Sequence, residues 1–118
     1  MPTEKSAVSR ARAFTDTHLT EWQVSSETSA TACLAVSELV TNSVCHSGSA
    51  EVILRLIRYR SHVRVEVIDS GTWREPSVSC TDDDITESGR GLALVGALAH
   101  RFGVLRTPFG TCAWALLR

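Results

Sequence analysis

The chain has 118 residues, which is enough for one compact domain with a hydrophobic core. Apolar residues make up 43% and charged residues 21%, close to the averages of globular proteins, which excludes a disordered tail and a fibrous repeat. Twelve basic against thirteen acidic residues give a formal net charge of −1, which argues against direct nucleic-acid binding through a broad positive field. We therefore expect one domain over residues 1–118.

The sequence lacks the pattern of a membrane span or a secretion signal. Its longest apolar run, Leu92–Ala99, has eight residues, far fewer than the roughly 20 that cross a bilayer. Residues 1–20 lack the apolar centre of a signal peptide. These features predict a cytoplasmic protein that does not contact a membrane.

The four cysteines show neither a C-x-x-C pair nor ligand-like spacing with the four histidines, which argues against a zinc site. Cys33 and Cys45 fall in one predicted helix, where a rise of about 1.5 Å per residue separates them by roughly 18 Å, beyond disulfide reach. We interpret all four, Cys33, Cys45, Cys80 and Cys112, as small hydrophobic residues.

Two helices are predicted in the first half of the chain. Val8–Trp22 contains few helix breakers and places its apolar residues at mostly helical spacing. A second helix begins near Ser25 or Ser26, either of which suits a cap, and runs towards Ser47. Its predicted buried stripe comprises Cys33, Val36, Leu39 or Val40, and Val44.

Two strands with a tight connection are predicted next. Apolar side chains recur at every second position in Glu51–Tyr59 and in His62–Asp69. The short connection between these segments predicts an antiparallel hairpin. Residues 70–90 are rich in Gly, Pro, Ser and acidic residues, and a loop of this length is typical of lids and binding loops.

The last part of the chain predicts a short helix over Gly91–Arg101 and two closing strands, Phe102–Arg106 and Thr111–Leu117. The sequence Thr-Pro-Phe-Gly at residues 107–110 predicts a turn between these strands. Helices combined with an antiparallel-rich mixed sheet predict an α+β fold. We expect a two-layer sandwich in which helices cover one face of the sheet.

Polar residues recur on one side of the second predicted helix. Glu38, Asn42 and His46 are spaced four apart, so they lie within a sector of about 80° at about 100° per residue. A solvated stripe is the simpler interpretation. Asn42, however, is a poor helix former among apolar neighbours, which favours a functional reason for it.

Two further segments are candidates to meet that helix at a ligand. Asp69-Ser70-Gly71 ends an apolar strand, where a carboxylate can accept a hydrogen bond from a ligand amine, although these residues also suit a plain turn. Gly89-Arg90-Gly91 precedes a predicted helix, where backbone amides, the helix dipole and a guanidinium favour a phosphate. The G-x-G motif alone is weak, and the sequence contains neither the P-loop nor the dinucleotide-binding pattern.

In this order the three segments resemble the histidine-kinase-like ATPase superfamily, which includes gyrase-type ATPases, chaperones and sensor kinases. Residues 38–46, ELVTNSVCH, resemble its N box. Asp69-Ser70-Gly71 is similar to the start of its first glycine box, and residues 89–95, GRGLALV, to its second. The letters ELVTN, the small size and the end of the sequence are most similar to the bacterial anti-sigma-factor serine-protein kinases.

The resemblance implies a site for ATP and Mg²⁺. It implies that Asn42 holds the Mg²⁺, that Asp69 accepts from the adenine amino group and that Glu38 is the general base for a serine hydroxyl. The remaining binding residues that the resemblance implies are His46, Gly71, Gly89, Arg90, Gly91 and Leu92.

The resemblance also implies a regulatory kinase that phosphorylates a serine of an antagonist protein and sequesters a sigma factor. A sigma factor and an anti-anti-sigma-like protein are therefore the expected partners, and a homodimer stays open. Trp73 and the short front edge favour the alternative, a non-catalytic ATP-binding or protein-interaction module, and Thr111 is a further departure from the family pattern. Trp73 stands where the first glycine box has its second glycine, and Thr111 stands where this branch often has lysine after the position of Gly110. The sequence also leaves no obvious room for an edge strand before the first helix.

Overall fold

Two long helices precede two pairs of β-strands in this computed structural model, which describes residues 1–2, 4, 6–46, 48–71 and 95–118. The elements are α1 (Ser6–Glu21), α2 (Ser26–His46), β1 (Val52–Tyr59), β2 (His62–Asp69), β3 (Arg101–Thr107) and β4 (Gly110–Leu117). Residues 95–98, shortly before β3, are also helical. In the described part of the chain, no helix is long and apolar enough to span a membrane.

The four strands form an antiparallel sheet in the order β1-β2-β4-β3. At one end of the central strand β2, Asp69 pairs with Thr111 of β4. At its other end, His62 pairs with Tyr59 of β1 across the hairpin turn. With a rise of about 3.3 Å per residue, these two ends of β2 lie about 23 Å apart. We call them the Asp69 end and the hairpin end of the sheet.

The helices cover one face of this sheet, as predicted for a two-layer α+β sandwich. Alternate residues of β2 and β4 point towards α2, because successive side chains of a strand point to opposite faces. The buried apolar side chains on these two strands are Val63, Val65, Val67, Ala113, Ala115 and Leu117. They pack with a stripe of α2 formed by Ala32, Ala35, Val36, Leu39 and Val40. Helix α1 in turn packs against α2.

The second helix begins where its cap predicts. The main-chain N–H of Thr28 donates to Ser25 Oγ at 3.2 Å, so Ser25 satisfies one of the first amides of α2. The predicted stripe is buried at its centre, whereas Cys33 and Val44 are half-buried. Cys33 lies at the side of the stripe, with its sulfur 3.9 Å from the Arg12 main-chain oxygen of α1. No disulfide joins the three cysteines in the described ranges.

Each predicted strand end lies within one residue of the end in the structure. The predicted end of the third helix, in contrast, is wrong. Arg101 is the first residue of β3 and pairs with Leu116. The preceding His100 already donates its main-chain N–H to the Leu116 oxygen at 2.8 Å. The chain is therefore already hydrogen-bonded to β4 at His100, and the helix ends before this residue. Residues 91–94 of this prediction lie outside the described residues.

The first residues of the chain lie against the outer edge of β1. The Met1 main-chain oxygen accepts from the Val52 N–H at 2.7 Å, and the Met1 nitrogen donates to the Val52 oxygen at 2.8 Å. Pro2 forms an antiparallel bridge with Glu51. These contacts form an isolated bridge, and the described residues before α1 add no further strand to the sheet.

A cluster of one carboxylate and two guanidiniums lies on the face of the sheet away from the helices. Glu66 is 8% exposed, and its carboxylate contacts Arg55 at 3.3 Å and Arg64 at 2.9 Å. The Arg64 guanidinium stacks on Trp114, 4.5 Å from the ring centroid. The Trp114 indole covers Gly103, where a Cβ atom would lie 3.0 Å from the ring. The single Glu66 carboxylate thus balances one of the two arginine charges and is shared between both guanidiniums.

Candidate functional site

Helix α2 buries the asparagine of the predicted motif. Asn42 is 4% exposed, and its Nδ2 donates to the Glu38 main-chain oxygen at 2.9 Å. The amide nitrogen is thus bonded inside the helix, and the acceptor of this side chain is its amide oxygen. The solvated-stripe interpretation is therefore wrong for Asn42. Glu38, one turn earlier on the same helix, is half-buried.

The next residue of α2 joins the helix to the sheet. Ser43 is fully buried, and its Oγ donates to Asp69 Oδ2 at 2.7 Å. The Gly71 N–H donates to the other carboxylate oxygen, Oδ1, at 3.0 Å. One donor at each oxygen fixes the plane of the Asp69 carboxylate, which is 5% exposed. An ionised carboxylate accepts hydrogen bonds and donates none, so its chemistry suits a ligand group that carries an N–H or O–H.

Hydroxyl groups tie the turn after β2 to both neighbouring strands. On the β4 side, Thr111 Oγ1 donates to the Gly71 main-chain oxygen at 2.9 Å. On the β1 side, the Ser70 N–H donates to Ser49 Oγ at 3.2 Å. Ser49 Oγ in turn donates to the Glu51 main-chain oxygen at 2.6 Å. The position where the family branch often has lysine is thus occupied by a threonine that holds Gly71 in place.

Close backbone contact at the start of β4 requires a glycine. A Cβ atom at Gly110 would lie 2.1 Å from the Asp69 main-chain oxygen and 2.9 Å from the Ser70 Cα. Gly110 also has a φ of +150°, a conformation that residues with a side chain rarely adopt. Because both contacts are with main-chain atoms, a side chain here would displace the Asp69 turn.

The structure brings together the helix and strand parts of the predicted site, through the bond between Ser43 and Asp69. Gly71 contributes through its main chain. His46 is the last residue of α2, one turn beyond Asn42. The other predicted residues, Trp73 of the first glycine box and Gly89, Arg90, Gly91 and Leu92 of the second, lie outside the described residues. Their roles stay predictions.

Sequence reasoning did not predict the hydrogen bonds of the three hydroxyl groups that position Asp69, Ser70 and Gly71, and it named Thr111 only as a departure from the family pattern. For Ser43 a signal existed, because a serine within the apolar second half of a helix must bond to something when it is buried. Ser49 and Thr111 carry no comparable local signal, since each bonds to a residue that is distant in the sequence.

The fold resembles that of a solved histidine kinase domain. This domain, from a blue-light activated histidine kinase of Erythrobacter litoralis, matches with a TM-score of 0.54 and 24% identity, over 77% of this chain and 44% of that chain. A structure of the Erythrobacter litoralis blue-light activated histidine kinase itself matches with a TM-score of 0.48 and 25% identity, over 80% of this chain and 31% of that chain. The chain therefore spans less than half of the length of these solved chains.

No curated protein sequence matches the chain. The model of the histidine kinase-like ATPase domain family, in contrast, matches residues 1–116. This match includes both helices, the Asp69 turn and the sheet up to Leu116 of β4. The chain belongs to the histidine kinase-like ATPase domain family.

Proposed function

We propose that this chain binds ATP together with Mg²⁺ and acts as a regulatory serine-protein kinase of the anti-sigma type. The observation that carries the proposal is the buried Asp69 carboxylate, which Ser43 and the Gly71 N–H orient beside the helix that bears Asn42. Membership in the histidine kinase-like ATPase family supports nucleotide binding. The letters ELVTN at residues 38–42 support the anti-sigma branch.

Asp69 is the group that recognises the base in this proposal. An ionised carboxylate only accepts hydrogen bonds, so it selects a base with an amino group, such as adenine, over one with a carbonyl group at the same position. An amide at position 69 would bring its own NH₂ donor towards Ser43 or the Gly71 N–H, which are donors themselves. Losing a hydrogen bond to a charged group costs about 1.5–3 kcal/mol.

The chemistry of Asn42 fits a magnesium ion that arrives with a nucleotide. Mg²⁺ prefers oxygen ligands and is usually held by one or two protein groups together with substrate phosphates. Asn42 offers a neutral oxygen, since its nitrogen bonds to Glu38. When bound, ATP supplies the phosphoryl group and Mg²⁺ neutralises part of its charge. Residues 89–91 would line the phosphates.

Glu38 has the role of general base, which accepts the proton of a serine hydroxyl on the substrate protein. It lies one helical turn before Asn42, so the base and the proposed metal ligand share one side of α2. The proposed partners are a sigma factor, which the protein sequesters, and an anti-anti-sigma-like protein, which carries the serine. Both partners rest on the resemblance of residues 38–46 to the anti-sigma branch.

Calorimetric titration of the full chain with ATP, with and without Mg²⁺, tests the proposal. We expect ATP to bind more tightly than GTP and with Mg²⁺ dependence. Asp69→Asn should weaken ATP binding about ten-fold or more. Asn42→Ala should abolish the Mg²⁺ dependence, because it removes the ligand oxygen. Asp16→Asn, an exposed position on α1, is the matched control.

Unchanged ATP affinity in Asp69→Asn would contradict the assignment of the base-binding residue. Mg²⁺-dependent ATP binding without phosphate transfer to any native partner would contradict the kinase and support the non-catalytic module.

A further inference from the structure

A second candidate site lies at the hairpin end of the sheet. There a cavity of about 210 Å³ opens to solvent between the turn after α1, the start of α2 and the β1–β2 hairpin. Arg58, Arg60 and Arg118 line it together with His62. None of the described side chains that line this cavity is acidic. The cavity therefore concentrates positive charge in a chain whose formal net charge is −1.

The charges of these arginines are not compensated within the described part of the chain. Arg55 and Arg64 share Glu66 on the outer face, but Arg58, Arg60 and Arg118 form no ion pair with a described residue. Neighbouring positive charges repel one another, so an anion that enters the cavity relieves an unfavourable interaction.

A histidine next to the cavity reports this positive potential. The pKa of His100 is lowered from its ordinary value, mainly by the charge of Arg118 and then by desolvation, with His62 and Arg101 adding to the effect. The His100 ring lies 5.7 Å from the His62 ring, which itself lines the cavity. The positive field thus extends beyond the cavity wall.

The start of α2 contributes to the same cavity. Ser25 and Thr28 line it, and the Thr28 N–H is already bonded to Ser25 Oγ, so this part of the wall is polar and ordered. Thr28 Oγ1 donates to the Arg118 main-chain oxygen, which holds Arg118 at the cavity. Glu27, the acidic residue of this first turn, lines a neighbouring cavity on the other side of Thr28 and Arg118. Glu27 does not line the cavity of the three arginines.

We propose that the cavity between Arg58, Arg60 and Arg118 binds a phosphate group. A guanidinium binds the oxygens of phosphate through two parallel hydrogen bonds. Three guanidiniums carry three positive charges, so a phosphate dianion balances more of this charge than a carboxylate with its single negative charge. The open side admits a phosphate that is carried on a polypeptide or on a small phosphomonoester. The cavity lies at the opposite end of β2 from Asp69, about 23 Å away, so it does not rest on the proposed nucleotide site.

Titration of the full ¹⁵N-labelled chain, without nucleotide or Mg²⁺, tests this site by amide NMR shifts. The three probes are inorganic phosphate, a phosphoserine hexapeptide and the same peptide without phosphate. We expect the amides of residues 25–28 and 58–63 to shift with the first two probes and less as NaCl is raised. The double variant Arg58→Gln, Arg60→Gln should weaken binding about ten-fold or more. Arg12→Gln, an exposed position on α1, controls for loss of charge.

Tighter binding of the phosphopeptide than of inorganic phosphate identifies a polypeptide as the source, and equal binding identifies a free phosphate. Both results support the site. Absence of shifts at these amides overturns the proposal, as does equal affinity in the double variant and in Arg12→Gln. Because Asp69→Asn alters only the other end, loss of the shifts in that variant also overturns it.

Discussion

The two ends of β2 differ in the groups that they offer to a ligand. At the Asp69 end, neutral hydroxyl and amide groups bond to a buried carboxylate and to the turn that follows it. At the hairpin end, guanidiniums line an open cavity and form no ion pair with the described residues. The first arrangement fixes the orientation of one acceptor, whereas the second raises the local potential. The candidate site at the Asp69 end thus selects its ligand by hydrogen bonds, whereas the candidate site at the hairpin end selects its ligand by charge.

This difference predicts different responses to salt. Interactions between exposed charges are screened over about 8 Å at physiological ionic strength, whereas short hydrogen bonds between buried groups are screened much less. Binding at the hairpin end should therefore weaken steeply as NaCl rises. The contribution of the Ser43 hydroxyl at the Asp69 end should change little. The variants below test each part of this comparison.

Glu38→Ala should have the largest effect. We expect phosphate transfer to fall about 10²–10⁴-fold while ATP affinity stays within a few-fold, because Glu38 acts on the attacking hydroxyl. Transfer of labelled phosphate to a partner protein measures this, with intrinsic ATP hydrolysis as the second readout. Glu27→Ala, at the hairpin end of the same helix, should leave transfer unchanged. Equal losses of transfer and ATP affinity in Glu38→Ala would contradict a role as base.

Gly110→Ala should have the largest effect on stability at the Asp69 end. The added Cβ would approach the Asp69 main-chain oxygen to 2.1 Å, so the strand or the turn must move. We expect the free energy of unfolding to fall by about 2–4 kcal/mol, from backbone strain and overpacking together. Denaturant unfolding measures the change.

Gly48→Ala is the matched control for this steric argument. Gly48 has a φ of +72°, but a Cβ there would have no atom within 4 Å. This variant should therefore lose only about 1 kcal/mol, the cost of the backbone conformation. Equal losses in the two variants would show that close contact with the Asp69 turn is not the reason for glycine at position 110.

Ser43→Ala tests the orientation of Asp69 directly. Removal of the 2.7 Å hydrogen bond should lower the free energy of unfolding by about 1–3 kcal/mol and weaken ATP binding, because the carboxylate loses one of its two described donors. Unfolding and calorimetry, each at low and high NaCl, measure both effects. Ser37→Ala, a half-buried position on the same helix, should stay within about 0.5 kcal/mol of wild type. An ATP affinity unchanged by Ser43→Ala would mean that Asp69 needs no orientation.

The elements of the fold were predictable because their signals are local. Helical spacing, the Ser25 cap and strand alternation each involve residues a few positions apart. The burial of Asn42 was also indicated, by an unfavourable helix residue among apolar neighbours. The bonds that build the site are different in kind. Ser43 is 26 positions from Asp69, so this pair follows from the packing of α2 on the sheet. Thr111 is 40 positions from Gly71, and this pair follows from the pairing of β2 with β4.

The hairpin end was missed for another reason. The net charge of −1 argues against a broad positive field, but a net charge does not show where on the fold the charged residues lie. Arg58 and Arg60 flank the hairpin, and Arg118 reaches them only because β4 pairs with β2. The edge contact between Met1 and Val52 was missed for the same reason, since it joins residues 51 positions apart.

Arg118→Gln should have the smallest effect, and it tests whether positive charge is concentrated at the hairpin end. The pKa of His100 is lowered mainly by Arg118, because a neighbouring positive charge disfavours the protonated imidazole. Removing this charge should raise the pKa of His100 towards 6.5, its ordinary value, and His62 and Arg101 should still hold it below. NMR titration of the imidazole protons measures the shift, and Arg12→Gln should leave it unchanged. Inorganic phosphate should raise the pKa of His100 in the wild type as well, since a bound dianion offsets Arg118. If neither Arg118→Gln nor phosphate changes the pKa of His100, the hairpin end lacks the positive electrostatic potential that distinguishes it from the Asp69 end.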